Sequence, residues 1–180
     1  MSIKFHTLRR VQWISRPIDH VFAFFADAHN LEEITPPWLG FRILKISSKT
    51  ISKGTEIRYG LRLHGIPIHW RTEIRQWDEP NRFVDVQRSG PYRLWHHTHR
   101  FEAHGNRTRM TDVVRYTLPF GILGRIVHAV KVRDDVRRIF DYRYQRIEEL
   151  FANPPSAAVI GAEDRVNTLR RSAHGPHQGL

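Results

Sequence analysis

The sequence predicts an α+β domain in which seven antiparallel strands have one face covered by a long C-terminal helix, with two short helices after the first strand. Three observations carry this. Six consecutive segments between residues 39 and 118 are strand-like and mostly separated by Gly, Pro or Asn, so short turns must join them and neighbours must run antiparallel. A further strand-like segment precedes them at Ile3–Ile14. From Phe120 onward the period changes: Leu123, Ile126, Val127, Val130, Ile139, Phe140, Ile147, Leu150 and Phe151 recur mostly at three- and four-residue steps, as along one face of a helix. Thirty such residues span about 45 Å, enough to cross a whole sheet.

Each element has a local reason. After the first strand, Ser15 is placed to cap a helix, Pro17 suits its first turn, and the apolar run Val21, Phe22, Phe24, Phe25 follows. A second short helix is expected from Asn30 to Thr35, stopped by Pro36-Pro37. Strands follow at 39–49, 54–64, 66–78, 82–89, 93–104 and 107–118. Gly90-Pro91 marks a turn at the mouth of the sheet, and Gly121 and Gly124 let the chain turn into the long helix. Trp13, Trp38 and Trp77 are assigned to the core or to strand ends. After Phe151 the composition shifts: residues 153–180 are poor in large apolar side chains and punctuated by Pro and Gly, which predicts a folded domain over 1–152 and a mobile tail over 153–180.

A chain of 180 residues can bury roughly 70 % of its unfolded surface and needs no staples. It has no cysteine, which excludes disulfides, thiolate nucleophiles, cysteine zinc sites and iron–sulfur clusters. The N-terminal residues contain no apolar h-region, and no run approaches the ~18 apolar residues of a membrane span, so a soluble cytoplasmic protein is expected. The balance of 29 Lys+Arg against 18 Asp+Glu gives a net charge of +11, and such a surface attracts anions.

Splitting each strand into its two faces exposes a conflict. Ile57, Tyr59, Leu61 and Leu63 share one face, and Ile68, Trp70, Thr72 and Ile74 share another, with charged residues opposite in both strands. In the next three strands the aromatic-bearing face is mixed. Phe83 keeps company with Asp85 and Gln87, Trp95 and Phe101 with His97 and His99, and Met110, Val114 and Tyr116 with Asp112. If these sets point inward, five polar groups enter an apolar interior, where each left unpaired costs several kcal/mol. They must pair with one another, with water or with a ligand, and polar groups converging on a concave sheet describe a pocket.

The residues Asp85, Gln87, Gly90-Pro91-Tyr92, Trp95, His97, His99, Phe101, Asp112, Val114, Tyr116 and Leu118-Pro119-Phe120-Gly121 form a pattern D-x-Q…GPY…W-x-H-x-H-x-F…D-x-V-x-Y…LPFG. With it the chain resembles, over about residues 1–152, the START-like, helix-grip (SRPBCC) superfamily of polyketide cyclases/dehydrases and lipid-transport proteins, and within it a bacterial subgroup. The resemblance implies a seven-stranded antiparallel sheet gripping the C-terminal helix around a cavity for a lipid-, quinone- or polyketide-like molecule. It supplies no reaction. Some relatives are called sugar-nucleotide epimerases, but this chain has no Gly-x-Gly-x-x-Gly loop and that activity is not expected of it.

On this reading Tyr59, Trp70, Tyr92, Trp95 and Tyr116 cover the apolar body of a ligand, or are plain core, while Asp85, Gln87, His97, His99 and Asp112 orient its polar end. The alternative is an enzyme of the cyclase/dehydratase type in which His97 or His99, paired with Asp112, is general base and acid. Two histidines with Asp85 or Asp112 could also hold a metal, but a hydrogen-bonded network is the plainer reading, and no metal or cofactor is expected. The partner expected is a small hydrophobic ligand, with transient contact to an acidic membrane surface fitting the charge. The arginines of the outer strand faces (Arg58, Arg62, Arg71, Arg75, Arg88, Arg100, Arg115) read as a solvated surface rather than a nucleic-acid interface. Nothing in the sequence sets the oligomeric state.

Overall fold

The computed structural model describes residues 5–118 and 122–152, and the side chains of all of these except 122–130. The element order is β1 (His6–Ile14), α1 (Ile18–Ala26), α2 (Asn30–Glu33), a 3-10 turn (Pro37–Leu39), β2 (Arg42–Ile46), β3 (Glu56–Leu63), β4 (Ile66–Asp78), β5 (Arg82–Ser89), β6 (Leu94–His104), β7 (Arg107–Thr117) and α3 (Ile122–Ala152). The expected tail over 153–180, with Gly121, lies outside the described residues.

All seven strands form one antiparallel sheet in the order β1-β7-β6-β5-β4-β3-β2. Every neighbouring pair except β1–β7 is consecutive in the chain, as hairpin-joined strands must be, and the first strand returns to pair with the last. The registers of β4–β5 and β2–β3 each carry irregularities, which bend and twist the sheet. The helix α3, at 31 residues, reaches along this sheet and is tied to β1 by polar contacts. Arg10 donates to Asp141 at 2.6 Å, and the Gln12 amide donates to the Tyr144 carbonyl at 2.9 Å. At the far edge the β3–β4 turn reaches α3 through His64 and Asp135, 2.8 Å apart.

The apolar core divides in two. Phe22 of α1 meets Phe83, Phe101 and Trp77 edge-on, and with Ile14, Val21, Met110 and Ile147 makes one cluster. Leu8, Val114, Tyr116, Val136 and Phe140 make the other. Both are fed by the inward set of each strand, so the two faces separate as the alternation required.

Several local expectations are corrected. Ser15 does not cap α1: the helix begins after Pro17, whose extended backbone (ψ 151°) and carbonyl open it, the Val21 N–H donating to that carbonyl at 3.2 Å. Pro17 thus stands before the first turn, and Ser15 is too far upstream to reach a free N–H. The second helix is shorter than Asn30–Thr35, because Thr35 precedes Pro36 and is biased away from helix; its hydroxyl instead donates to the Leu31 carbonyl at 2.6 Å. Gly124 lies within α3, not before it. Strand β1 is described over His6–Ile14, Ile3 and Lys4 lying outside the described residues, and β2 covers only 42–46, since Leu39 closes the 3-10 turn and Gly40 follows in the left-handed region (φ 50°). Trp38 is not core: it is 54 % exposed on that turn, edge-on to Tyr142 with Arg138 over its ring.

Candidate functional site

A cavity of about 190 Å³ lies between the concave face of the sheet and the helices. One water needs about 10–15 Å³, so this space is an order of magnitude larger, yet it is below the roughly 300–1,000 Å³ of drug-sized pockets. Its walls come from α1 (Phe24, Phe25), from β3 and β4 (Ile57, Leu61, Ile74) and from α3 (Val136, Ile139, Phe140). Aromatic side chains cover one flank. Tyr59 stacks on Trp70 at 5.7 Å, Trp70 meets Trp95 edge-on at 5.2 Å, and Tyr92 leans on both. The Tyr59 hydroxyl lies 3.0 Å from that of Thr72, and burial pushes the phenols of Tyr59 and Tyr92 well above the ordinary tyrosine range.

The polar end is a closed ring of four side chains from three adjacent strands. Strand register places Asp85 opposite His97 and His99 opposite Asp112, so the ring is a direct product of the two ladders. The hydrogen bonds run on the diagonals: His99 Nε2 to Asp85 Oδ2 and His97 Nε2 to Asp112 Oδ1, each 3.1 Å. The direct neighbours close it, with His97 Nδ1 3.4 Å from Asp85 Oδ2 and His99 Nδ1 2.8 Å from Asp112 Oδ1. The last contact is close but out of line for a hydrogen bond, so it is electrostatic, and His99 Nδ1 has no hydrogen-bond acceptor. The two imidazoles lie 3.8 Å apart, and Phe83 stacks on His99 at 4.1 Å. His97 and His99 are only 4 % and 3 % exposed.

Charge within the ring is divided unequally. For Asp112 burial alone would raise the carboxyl, but His99 and His97 together hold it well below the usual range. Asp85 is lowered in the same way, burial being outweighed by His97, His99 and the guanidinium of Arg143. The two histidines diverge. Burial, with His99 adding to it, lowers His97 despite both carboxylates. In His99 burial pulls the same way but Asp112 and Asp85 overcome it, and its affinity for a proton is raised. His99 is therefore the imidazole that holds the charge. His97 favours the neutral form, its Nε2–H spent on Asp112 and its Nδ1 lone pair left over; this tautomer follows from the acceptor-only carboxylate.

Seven of the ten residues singled out in the sequence line the cavity: Tyr59, Trp70, Asp85, Tyr92, Trp95, His97 and His99. Three stand elsewhere. Asp112 lies behind the histidines, on a small cleft with Gln12 and Tyr144 rather than on the cavity wall. Tyr116 is packed in the second core cluster, stacked on His6 at 5.3 Å. Gln87 turns to the backbone of the β5–β6 turn: its amide donates to the Tyr92 carbonyl at 2.6 Å and its carbonyl accepts from the Tyr92 N–H at 3.3 Å. That clamp explains Gly90, where a Cβ would stand 2.6 Å from the Gln87 amide oxygen.

Arg143 was missed. It lines the cavity from α3, its guanidinium 5.6 Å from the Phe25 ring and 5.8 Å from that of Phe140, and it bears on both Asp85 and His99. The signal was present: Val136, Phe140, Arg143 and Ile147 fall at steps of four, three and four, so an arginine interrupts the apolar stripe.

Asp85 Oδ2, one nitrogen of His97 and one of His99 lie within 4.8 Å of one another, a two-histidine, one-carboxylate set with the donor chemistry of a divalent transition metal. His99 already pairs with Asp85 at 3.1 Å and His97 bonds to Asp112 at 3.1 Å, so the hydrogen-bonded network accounts for the set as it stands.

Comparison with known proteins agrees with the fold. The sequence model of the family described as polyketide cyclase / dehydrase and lipid transport matches residues 14–140. A START superfamily protein from Mycobacterium smegmatis superposes with a TM-score of 0.61 at 11 % identity, over 81 % of this chain and 99 % of that one. Major latex-like protein 151 of Panax ginseng gives 0.62 at 15 %, over 83 % and 99 %. The ZhuI aromatase/cyclase from a Streptomyces species gives 0.58 at 14 %, over 82 % and 96 %. Identities this low speak for the fold alone. No curated protein matches the chain in sequence.

Proposed function

The chain belongs to the polyketide cyclase / dehydrase and lipid transport family, with the START-like helix-grip fold, and from that premise we propose that it binds one compact, mostly apolar molecule with a single polar end. The observation that carries this is the cavity's asymmetry: mostly aromatic and aliphatic walls, broken by Asp27, Asn30, Thr35 and Thr72, with the charged and imidazole groups of Asp85, His97, His99 and Arg143 gathered at one place. A volume of about 190 Å³ suits a fused-ring or short-chain ligand better than a lipid with two acyl chains. The rings of Trp70, Trp95 and Tyr59 cover its flat body. The charged His99 and Arg143 favour an acceptor, such as a ketone or phenolate oxygen, and the leftover Nδ1 of His97 favours a hydroxyl.

The test compares 1-naphthol with naphthalene, read through the fluorescence of the wall tryptophans. His99→Gln should weaken the alcohol by about tenfold or more, the loss of a hydrogen bond to a charged group, and leave the hydrocarbon unchanged. Equal loss for both would remove the proposed orientation.

A second reading, acid–base catalysis of the cyclase/dehydratase type, is favoured by one observation: the two histidines are driven apart in proton affinity within one ring. Neighbouring groups so separated are suited to opposite roles. On that reading His97, neutral and held by Asp112, takes a proton next to a carbonyl, and His99 stabilises the oxygen that becomes negative. His97→Gln would then abolish turnover of a β-polyketone while retaining its binding; turnover surviving in that variant would dismiss this role.

A further inference from the structure

The outer face of the sheet carries a second, unrelated concavity. A groove of about 420 Å³ runs across β1, β7, β6 and β5, on the side away from the cavity. Three interstrand steps make it roughly 14 Å long. Its floor is Thr98, Thr111 and Val113, and its sides are arginines and His96, with Glu102 the one acidic side chain in the lining. Glu102 is committed to Arg109 at 2.6 Å. Arg9, Arg82, Arg100 and Arg115 have no carboxylate partner among the described residues.

Two features are hard to reconcile with a merely solvated surface. Arg82 and Arg100 sit directly opposite one another across the β5–β6 ladder, and like charges in that position are destabilising. Arg58 and Arg71 are opposed in the same way across the β3–β4 ladder, but there Glu56 lies 3.9 Å from Arg71, and Glu73 stands between Arg75 and Arg88 and pairs with both. Here no acid intervenes. The floor is also recessed and incompletely satisfied. Thr111, directly opposite Arg100 on β7, is only 6 % exposed, and its hydroxyl and the Nε of Arg82 are buried without a hydrogen-bond partner.

We propose that this groove binds a small phosphorylated molecule carrying at least two phosphate charges. Guanidinium forks recognise phosphate oxygens in pairs, and four of them can neutralise several charges at once. A multivalent anion between Arg82 and Arg100 turns their repulsion into two attractions and offers acceptors to the unpaired donors. The length of the groove accommodates a diphosphate and the group attached to it. Single-stranded nucleic acid is a poorer fit, since no Phe, Tyr or Trp lines the groove to stack on bases. A membrane surface is a poorer fit as well: the exposed large apolar side chains, Trp38, Leu44 and Ile66 among them, all lie outside the groove.

The experiment titrates the full chain with inorganic pyrophosphate, followed by backbone amide shifts and by thermal stability. Saturable shifts centred on Thr98, Thr111 and Val113 are expected, together with a rise in Tm as ligand binds the folded state. The double variant R82Q/R100Q should weaken binding at least tenfold and, without ligand, be no less stable than the wild type. Thr111→Val should weaken binding without removing a charge, and R58Q/R62Q, on β3, should leave it unchanged. Three results would overturn the proposal: no saturable shifts, shifts that R58Q/R62Q reduces as much as R82Q/R100Q does, or binding to phosphatidylserine vesicles or single-stranded DNA that pyrophosphate does not displace.

Discussion

Asp112 stands opposite His99 in the β6–β7 ladder, yet its hydrogen bond goes to His97, one step along the same face. Asp85 does the reverse on the other side, opposite His97 and bonded to His99. Each carboxylate thereby serves both histidines, and each histidine is held from two strands. A cross-strand exchange of this kind fixes ring orientation chiefly from the sheet, with Phe140 of α3 edge-on to His97 at 5.3 Å and Phe25 of α1 beside His99.

Because Asp112 is buried and serves two imidazoles, its removal leaves charge uncompensated in the interior. Asp112→Ala should destabilise the fold by about 3–5 kcal/mol, the range for breaking a buried pair from one side. Asp112→Asn keeps an acceptor for His97 and should lose clearly less. Urea unfolding of both variants checks the order, and equal losses would mean that charge is irrelevant there.

Stability should be greatest near pH 6.5 and fall on both sides. His99 binds its proton more tightly when folded, so its contribution is full below about 6.5 and disappears as pH rises through its folded value. His97 binds its proton less tightly when folded, so folding loses support as pH drops below about 6.5. Asp85 and Asp112, both lowered, add a further loss below about 4, completed as pH passes their folded values. Thermal melts across pH 3–10 (~ steps of one unit) would show it, and His99→Gln should remove the alkaline limb and shrink the acid one, since His99 helps to lower His97, Asp85 and Asp112.

Arg143 opposes protonation of His99 and favours ionisation of Asp85. In Arg143→Met the His99 imidazole should therefore titrate higher than in the wild type, followed by NMR of its ring protons. A lower value would mean that the guanidinium does not face the ring.

Gly90 and Gln87 form a coupled pair. Gly90→Ala should cost on the order of 1 kcal/mol, because the new methyl displaces the Gln87 amide from the Tyr92 backbone. In a Gln87→Ala background the same substitution should cost less, what remains being the backbone strain of a side chain at φ 158°. Additive losses in the double variant would separate the two.

Much of this architecture was legible in residue order. Period-two alternation gave β4 and β5 at their observed bounds and sorted inner from outer side chains on β3 to β7, since an antiparallel strand with one buried face tolerates no slip. The polar inner set was visible as a contradiction within that alternation, which is why Asp85, His97 and His99 stood out. What alternation cannot show is where along the inner face the helix lies. Asp112 and Tyr116 share a face with the histidines, yet β7 is covered by α3 and the second cluster, so both fall off the cavity wall. Gln87 was misplaced for a different reason: at the end of β5 the backbone of the following turn is nearer than the cavity. The boundaries of α1 and β2 depended on backbone geometry at Pro17 and Gly40, which side-chain patterning does not encode.

The central claim is that a ligand enters between sheet and helix and turns its polar end toward the ring. Its most direct test is an NMR titration with 1-naphthol of the wild type and of Ile139→Trp, a variant that fills the space from the α3 side. The account predicts saturable one-to-one binding in the wild type, with shifts in the ring protons of His97 and His99, and at least a tenfold loss in Ile139→Trp. Binding that the filled cavity leaves unchanged, or that never moves the two imidazoles, would contradict it.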